Sequence, residues 1–186
     1  MIFVKDIPPP LQPPTYNSCG GILLQQGWSS SIFDGSCINA KAAGGFILRD
    51  WTGKLLKAGA ANYGTTSSLI AEARALRDGV ALAVQEGYSM LCIEGDNVTV
   101  IRALLGKTEG PWQISHIIED VKAYLHQVTQ VTIHHTFTEA NIAADWLSKF
   151  AHLINDTFIT YICFSPTLRQ ILADDCIGHT FMRRGG

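Results

Sequence analysis

With 186 residues the chain has room for one globular domain with flanking segments, not for two full domains. Hydrophobic residues make up 47% and charged residues 16%, with a mean hydropathy of +0.15, which supplies a core and excludes disorder over most of the length. Lys plus Arg number 14 and Asp plus Glu 16, a net charge of −2, so no chain-wide positive field draws in a polyanion, and any such partner must be met locally or through metal ions.

Met1 to Pro14 holds no apolar stretch of signal-peptide length, and no run approaches the ~18 apolar residues of a membrane helix. The five cysteines, Cys19, Cys37, Cys92, Cys163 and Cys176, form no C-x-x-C pair and have no histidine at zinc spacing. They read as reduced thiols of an intracellular protein, nuclear or cytoplasmic, without structural zinc.

In chain order, residues 1–27 read as a Pro/Gly-rich arm or linker, with Pro8 to Pro14 extended. Trp28 to Asp34 is a strand stopping in an Asp34-Gly35 turn. Gly44 to Asp50 and Lys54 to Ala60 follow as a hairpin around Trp51-Thr52-Gly53. Ser67 and Ser68 offer caps for a helix through Glu86 that Gly87 ends, and its small residues Ala71, Ala75 and Gly79 let it lie close on a sheet.

Met90 to Ile93, continuously apolar, is a central strand buried on both faces. Helices Val98 to Leu105 and Trp112 to Gln127, a strand Val128 to His135 and a helix from Asn141 to Phe150 complete a domain over 28–155. Residues 156–186 form a C-terminal tail with one short helix opening at Ser165-Pro166. Three antiparallel strands followed by two parallel ones, with helices on both faces, make an α/β fold on a five-stranded mixed sheet.

Four acids stand at element ends: Asp34 and Asp96 after strands, Glu72 and Asp145 at helix starts. Singly, each has an ordinary explanation as a turn, cap or dipole residue. Together, four acids would repel unless hard divalent cations, Mg²⁺ or Mn²⁺, bridge them.

The segments Asp34-Gly35-Ser36, Ala43 to Asp50, Ala71 to Leu76, Glu94-Gly95-Asp96-Asn97 and Glu139 to Leu147 resemble the ribonuclease H family, and more narrowly the reverse-transcriptase-like ribonuclease H domains of plant non-LTR retrotransposons and host proteins derived from them. The match runs in order from about Trp28 to Phe150. The resemblance implies a ribonuclease H-like fold and a metal-dependent endonuclease that hydrolyses the RNA strand of RNA/DNA hybrids as a monomer. It makes Asp34, Glu72, Asp96 and Asp145 ligands of two Mg²⁺ or Mn²⁺ ions, with Asp34 bridging both, and it gives His135 a proton-shuttling or product-release role. His135 is equally well an ordinary surface residue, and His134 reads as structural.

By position, Ser36, Cys37, Asn39 and Ser68 are candidate contacts to ribose 2′-hydroxyls. Two features depart from the family pattern: Thr138 stands where the plant group often has Arg, and Trp112 to Gln127 carries a single lysine, Lys122. The alternative reading is a domesticated module that keeps the fold and binds nucleic acid or a protein without turnover.

Overall fold

The computed structural model describes residues 24–107, 110–136, 141–155, 157–160 and 165–176. Thr138 and the segments 1–23 and 177–186 lie outside the described residues. The strands are β1 (Ser29–Ile38), β2 (Lys41–Asp50), β3 (Leu55–Thr65), β4 (Met90–Gly95), β5 (Gln130–His135) and β6 (Thr157–Thr160). The helices are α1 (Ser68–Gln85), α2 (Val98–Leu104), α3 (Trp112–Leu125), α4 (Ile142–Phe150) and α5 (Pro166–Cys176).

The five strands expected from the sequence form the sheet β3-β2-β1-β4-β5, antiparallel through β1-β2-β3 and parallel through β1-β4-β5. A sixth strand, β6, joins antiparallel at the β3 edge. The Asp34-Gly35 turn is not formed. β1 runs four residues further, to Ile38, and the reversal falls at Asn39-Ala40, both with positive φ (52° and 62°). Two such residues in succession are the twist-matched solution for a tight hairpin, and Asn is among the residues that tolerate it.

Pleat alternation along β1 and β2 splits the core into two faces. Phe33, Phe46 and Leu48 point to one side, where α1, α3 and the central strand supply Leu76, Val80, Ile93, Ile114 and Val121. Ile47, Ala58 and Ala60 point to the other, under Leu147 of α4 and Leu168 and Leu172 of α5. The central strand is buried as its composition demands: Leu91, Cys92 and Ile93 are all fully buried.

α1 begins at the Ser67 cap, whose side chain accepts from the Ile70 N–H, and ends before Gly87 at φ 79°. Its small residues do what the sequence suggests. A Cβ on Gly79 would sit 3.2 Å from Phe46. At the other end of the domain, Leu24 and Trp28 pack on Cys92, so the packed structure reaches at least four residues before Trp28. Among the described residues no helix is long and apolar enough to cross a membrane.

Candidate metal centre

β1 and β4 pair in parallel, Ser29 with Leu91 through Ile32 with Glu94. Two residues further along each strand lie Asp34 and Asp96, in the same register but past the last paired residues, where β4 has given way to Asn97, the cap of α2. The sheet thus opens between them. Glu72 enters that opening from α1, because Gly35 lets the helix touch the strand: a Cβ there would lie 2.6 Å from the Ala71 carbonyl carbon and 2.7 Å from the Glu72 Cα.

Carboxylate oxygens of Asp34, Glu72 and Asp96 all lie within 4.8 Å of one another. Asp34 and Glu72 are buried, at 8% and 6% exposure, and Asp96 is half-buried. Burial pushes the Asp34 carboxyl up to about 7; the Ser148 hydroxyl pulls it down, and Asp96 and Asp145 push it further up. Burial pushes Glu72 up to about 9, reinforced by Asp34 and Asp96 and opposed by hydrogen bonds from the Gly35 amide and the Asn97 side chain. Glu72 Oε2 is buried without a hydrogen-bond partner among the described residues. A buried, unsatisfied oxygen in an all-carboxylate trio is what a hard divalent cation would satisfy, so the residues fit such an ion.

Three residues that sequence reasoning passed over position this trio. Asn141 is 1% exposed; its Nδ2 donates to the Phe33 carbonyl at 3.0 Å and reaches Asp34 Oδ1 at 3.5 Å. Ser148, fully buried, donates to Asp34 Oδ2 at 2.7 Å. Asn97 caps α2 through Oδ1, accepting from Thr99 and Val100 N–H, and leaves its amide for Glu72. The sequence offered Asp96 as the cap of this helix, and the cap is its neighbour Asn97; nothing in the sequence announced Ser148.

Asp145 lies outside the tight trio. Its Oδ2 takes Lys149 Nζ at 2.7 Å, an i,i+4 pair one helical turn along, yet it remains near enough to raise Asp34. His135 is exposed at the end of β5, its Nε2 2.9 Å from the Asp96 carbonyl oxygen. His134 is half-buried, and desolvation holds its imidazole below the usual value.

Of the ribose-contact candidates, Ser36 turns its Oγ to the Ser148 carbonyl at 3.1 Å and to His152 Nε2 at 2.9 Å. Cys37 is exposed, with its Sγ 3.5 Å from the Thr66 carbonyl. Asn39 is in the hairpin turn, and Ser68 is exposed in the first turn of α1 while Ser67 does the capping. Glu94, the acid just before the site, is not part of it: it is buried on β4 and pushed up to about 8, with the Arg49 charge opposing that rise.

A sheet ordered β3-β2-β1-β4-β5, flanked by helices and carrying acids where the central strands part, defines a ribonuclease H-like domain. The ribonuclease H1 of the archaeon Halobacterium salinarum shares the fold at a TM-score of 0.64 and 23% identity, over 67% of this chain and 97% of that one. A ribonuclease H1 solved in complex with an RNA/DNA hybrid does so at 0.60 and 20%, over 66% and 95%. The family model described as reverse transcriptase-like matches residues 32–151, and the chain belongs to this ribonuclease H family. A ribonuclease H protein of Arabidopsis thaliana is 25% identical over 175 residues, covering 93% of this chain and 28% of its own length, so the chain spans about a quarter of that relative.

Proposed function

We propose that the protein is a metal-dependent endoribonuclease that hydrolyses the RNA strand of RNA/DNA hybrids, working as a monomer. The observation that carries this reading is the trio Asp34, Glu72 and Asp96, its oxygens within 4.8 Å and one of them buried and unsatisfied. Burial and the neighbouring acids raise Asp34 and Glu72, a penalty that a cation between the carboxylates would relieve. That a solved relative of the same fold is in complex with an RNA/DNA hybrid supports the substrate class.

Asp34, Glu72 and Asp96 would hold Mg²⁺ or Mn²⁺, with Asp145 as the fourth carboxylate and two ions as the full complement. When bound, such ions supply the positive charge against which negative charge develops at a phosphodiester. The protein's own groups do the rest. Ser148 and Asn141 fix the rotamer of Asp34; Gly35 and Asn97 fix Glu72. His135, exposed at the rim, holds or passes a proton at its imidazole or helps product leave. Ser36 and Cys37 on β1, Asn39 in the hairpin turn after it and Ser68 at the start of α1 are assigned to the sugars of the substrate.

One observation favours the second reading, a binding module without turnover: Asp145 already holds a cation of the chain's own, Lys149. Cleavage of an end-labelled RNA/DNA hybrid in Mg²⁺ or Mn²⁺, against EDTA, separates the two. Metal-dependent cleavage supports the enzyme, and binding without cleavage under any divalent ion supports the module.

A further inference from the structure

Beyond the acids, one polar pair, Ser36 and His152, lies close to Asp34 in the chain's fold, and its histidine has no part in the chemistry above. Ser36 follows Asp34 by two residues on the same strand, so its side chain points to the same face, roughly 6.6 Å further along. Its hydroxyl touches two groups: the Ser148 carbonyl at 3.1 Å and His152 Nε2 at 2.9 Å. A hydroxyl has one proton to give. The carbonyl can only accept, so Ser36 donates there. His152 Nε2 must then carry the hydrogen and donate to Ser36 Oγ. That assigns the tautomer: Nδ1 is left as the ring's acceptor, and it has no partner among the described residues. His152 is half-buried in the 3-10 turn after α4 (Ala151–Leu153).

We propose that His152, oriented by Ser36, accepts a hydrogen bond from a ribose 2′-hydroxyl at Nδ1 and is a specificity-determining residue that distinguishes an RNA strand from DNA. This rests on the reading of the trio as a hybrid-cleaving centre, and it converts the earlier assignment of Ser36 from direct contact to support. A 2′-hydroxyl is a donor that DNA lacks, and an imidazole acceptor fixed by a second hydrogen bond is the complement to it.

The test pairs His152→Gln with single 2′-deoxy substitutions in the RNA strand of a short RNA/DNA hybrid, with binding measured in Ca²⁺. Glutamine can keep a donor near the Nε2 position for Ser36 but has no acceptor at Nδ1, so thermal unfolding should be unchanged. With wild type, one deoxy position weakens binding about fivefold, the worth of one net hydrogen bond. With His152→Gln the all-RNA strand binds about fivefold more weakly and that deoxy position costs nothing more, the coupling expected of two partners. Ser36→Ala should move the same way. If deoxy substitution costs wild type and His152→Gln equally at every position, this inference falls while the hybrid reading stands. If wild type binds the hybrid no better than a DNA duplex of the same sequence and cleaves neither, both fall.

Discussion

The backbone of Glu72 rests on Gly35, the residue next to Asp34, with no space between helix and strand for even a methyl group: a Cβ on Gly35 would lie 2.7 Å from the Glu72 Cα. The same contact brings the Gly35 amide to the Glu72 carboxyl. One glycine therefore sets the separation of two acids on different elements. On the opposite face Gly45, paired with Asp34, does the same for α4, where a Cβ would lie 2.5 Å from the Ser148 N.

Gly35→Ala should destabilise by about 3 kcal/mol or more, since the obstacle is helix backbone and cannot rotate away. It should also abolish metal binding by parting Glu72 from Asp34. Denaturant unfolding and Mn²⁺ titration by calorimetry would check both; an alanine variant of native stability and affinity would refute the close-packing account.

Asn141→Ala removes the donor to the buried Phe33 carbonyl and the amide beside Asp34, a loss of about 1–3 kcal/mol from the unsatisfied acceptor. Asn141→Asp replaces that donor with a further acid beside Asp34. Without metal it should be less stable than wild type at pH 8 and close to it at pH 5, where carboxyls are shielded by protons. Thermal unfolding at the two pH values would reveal the contrast.

Most of the sheet could be read from alternation, apolar runs and caps, because those signals are local: Ser67 and Gly87 bracket α1, and Leu91 to Ile93 show no polar face. Asp34-Gly35 misled for an equally physical reason. The pair is a strong turn signal, but a strand glycine also marks close approach of another backbone, and which of the two applies depends on α1, 37 residues away at Glu72. The four acids were conspicuous by placement and by resemblance. Their supports, Ser148 and Asn141, were not, since a serine or asparagine acquires meaning only when two elements dock. Nor did the sequence separate Asp145 from the other three, although Lys149 stands at helical spacing from it.

The tail was the least legible part. Leu168, read as belonging to a separate short helix, is fully buried against the α4 face of the sheet, and β6 extends the β3 edge. Leu168→Ala should cost about 2–5 kcal/mol. A chain ended after residue 155 should unfold at lower temperature than the full chain. Equal melting temperatures would show that the sheet needs neither β6 nor α5.

Asp34→Asn keeps the size of the side chain and the network can adjust around it: the Ser148 hydroxyl, already 2.8 Å from the Asp145 carbonyl, can donate there and accept from the new amide. Removing a buried like charge should leave the metal-free protein as stable as wild type or more so. Hybrid cleavage should fall at least about a thousandfold, several kcal/mol of lost transition-state stabilisation. Cleavage rates and melting curves of the two proteins, measured side by side, would test this, and a variant that still cleaves would remove Asp34 from the centre.

The pH dependence of the metal-free protein follows from the same carboxyls. Asp34 titrates at about 7 in the folded chain against 3.8 when exposed, and Glu72 at about 9 against 4.5. Between the exposed and folded values the folded state holds protons that the unfolded state has released, so stability must fall as pH rises, beginning near 4 and continuing to about 9. Below that window both states are protonated and the penalty vanishes. A divalent ion competes with those protons, so its affinity should climb over the same range and its stabilising effect should be largest at the alkaline end. Melting temperature should therefore decline from pH 5 to pH 9 in EDTA and much less in saturating Mn²⁺. Asp34→Asn should flatten the EDTA curve, by removing one titrating group and lowering the charge that Glu72 faces. A metal-free melting temperature that rises across this range, or an EDTA curve identical in wild type and Asp34→Asn, would show that these carboxyls are not the buried, mutually repelling set described above.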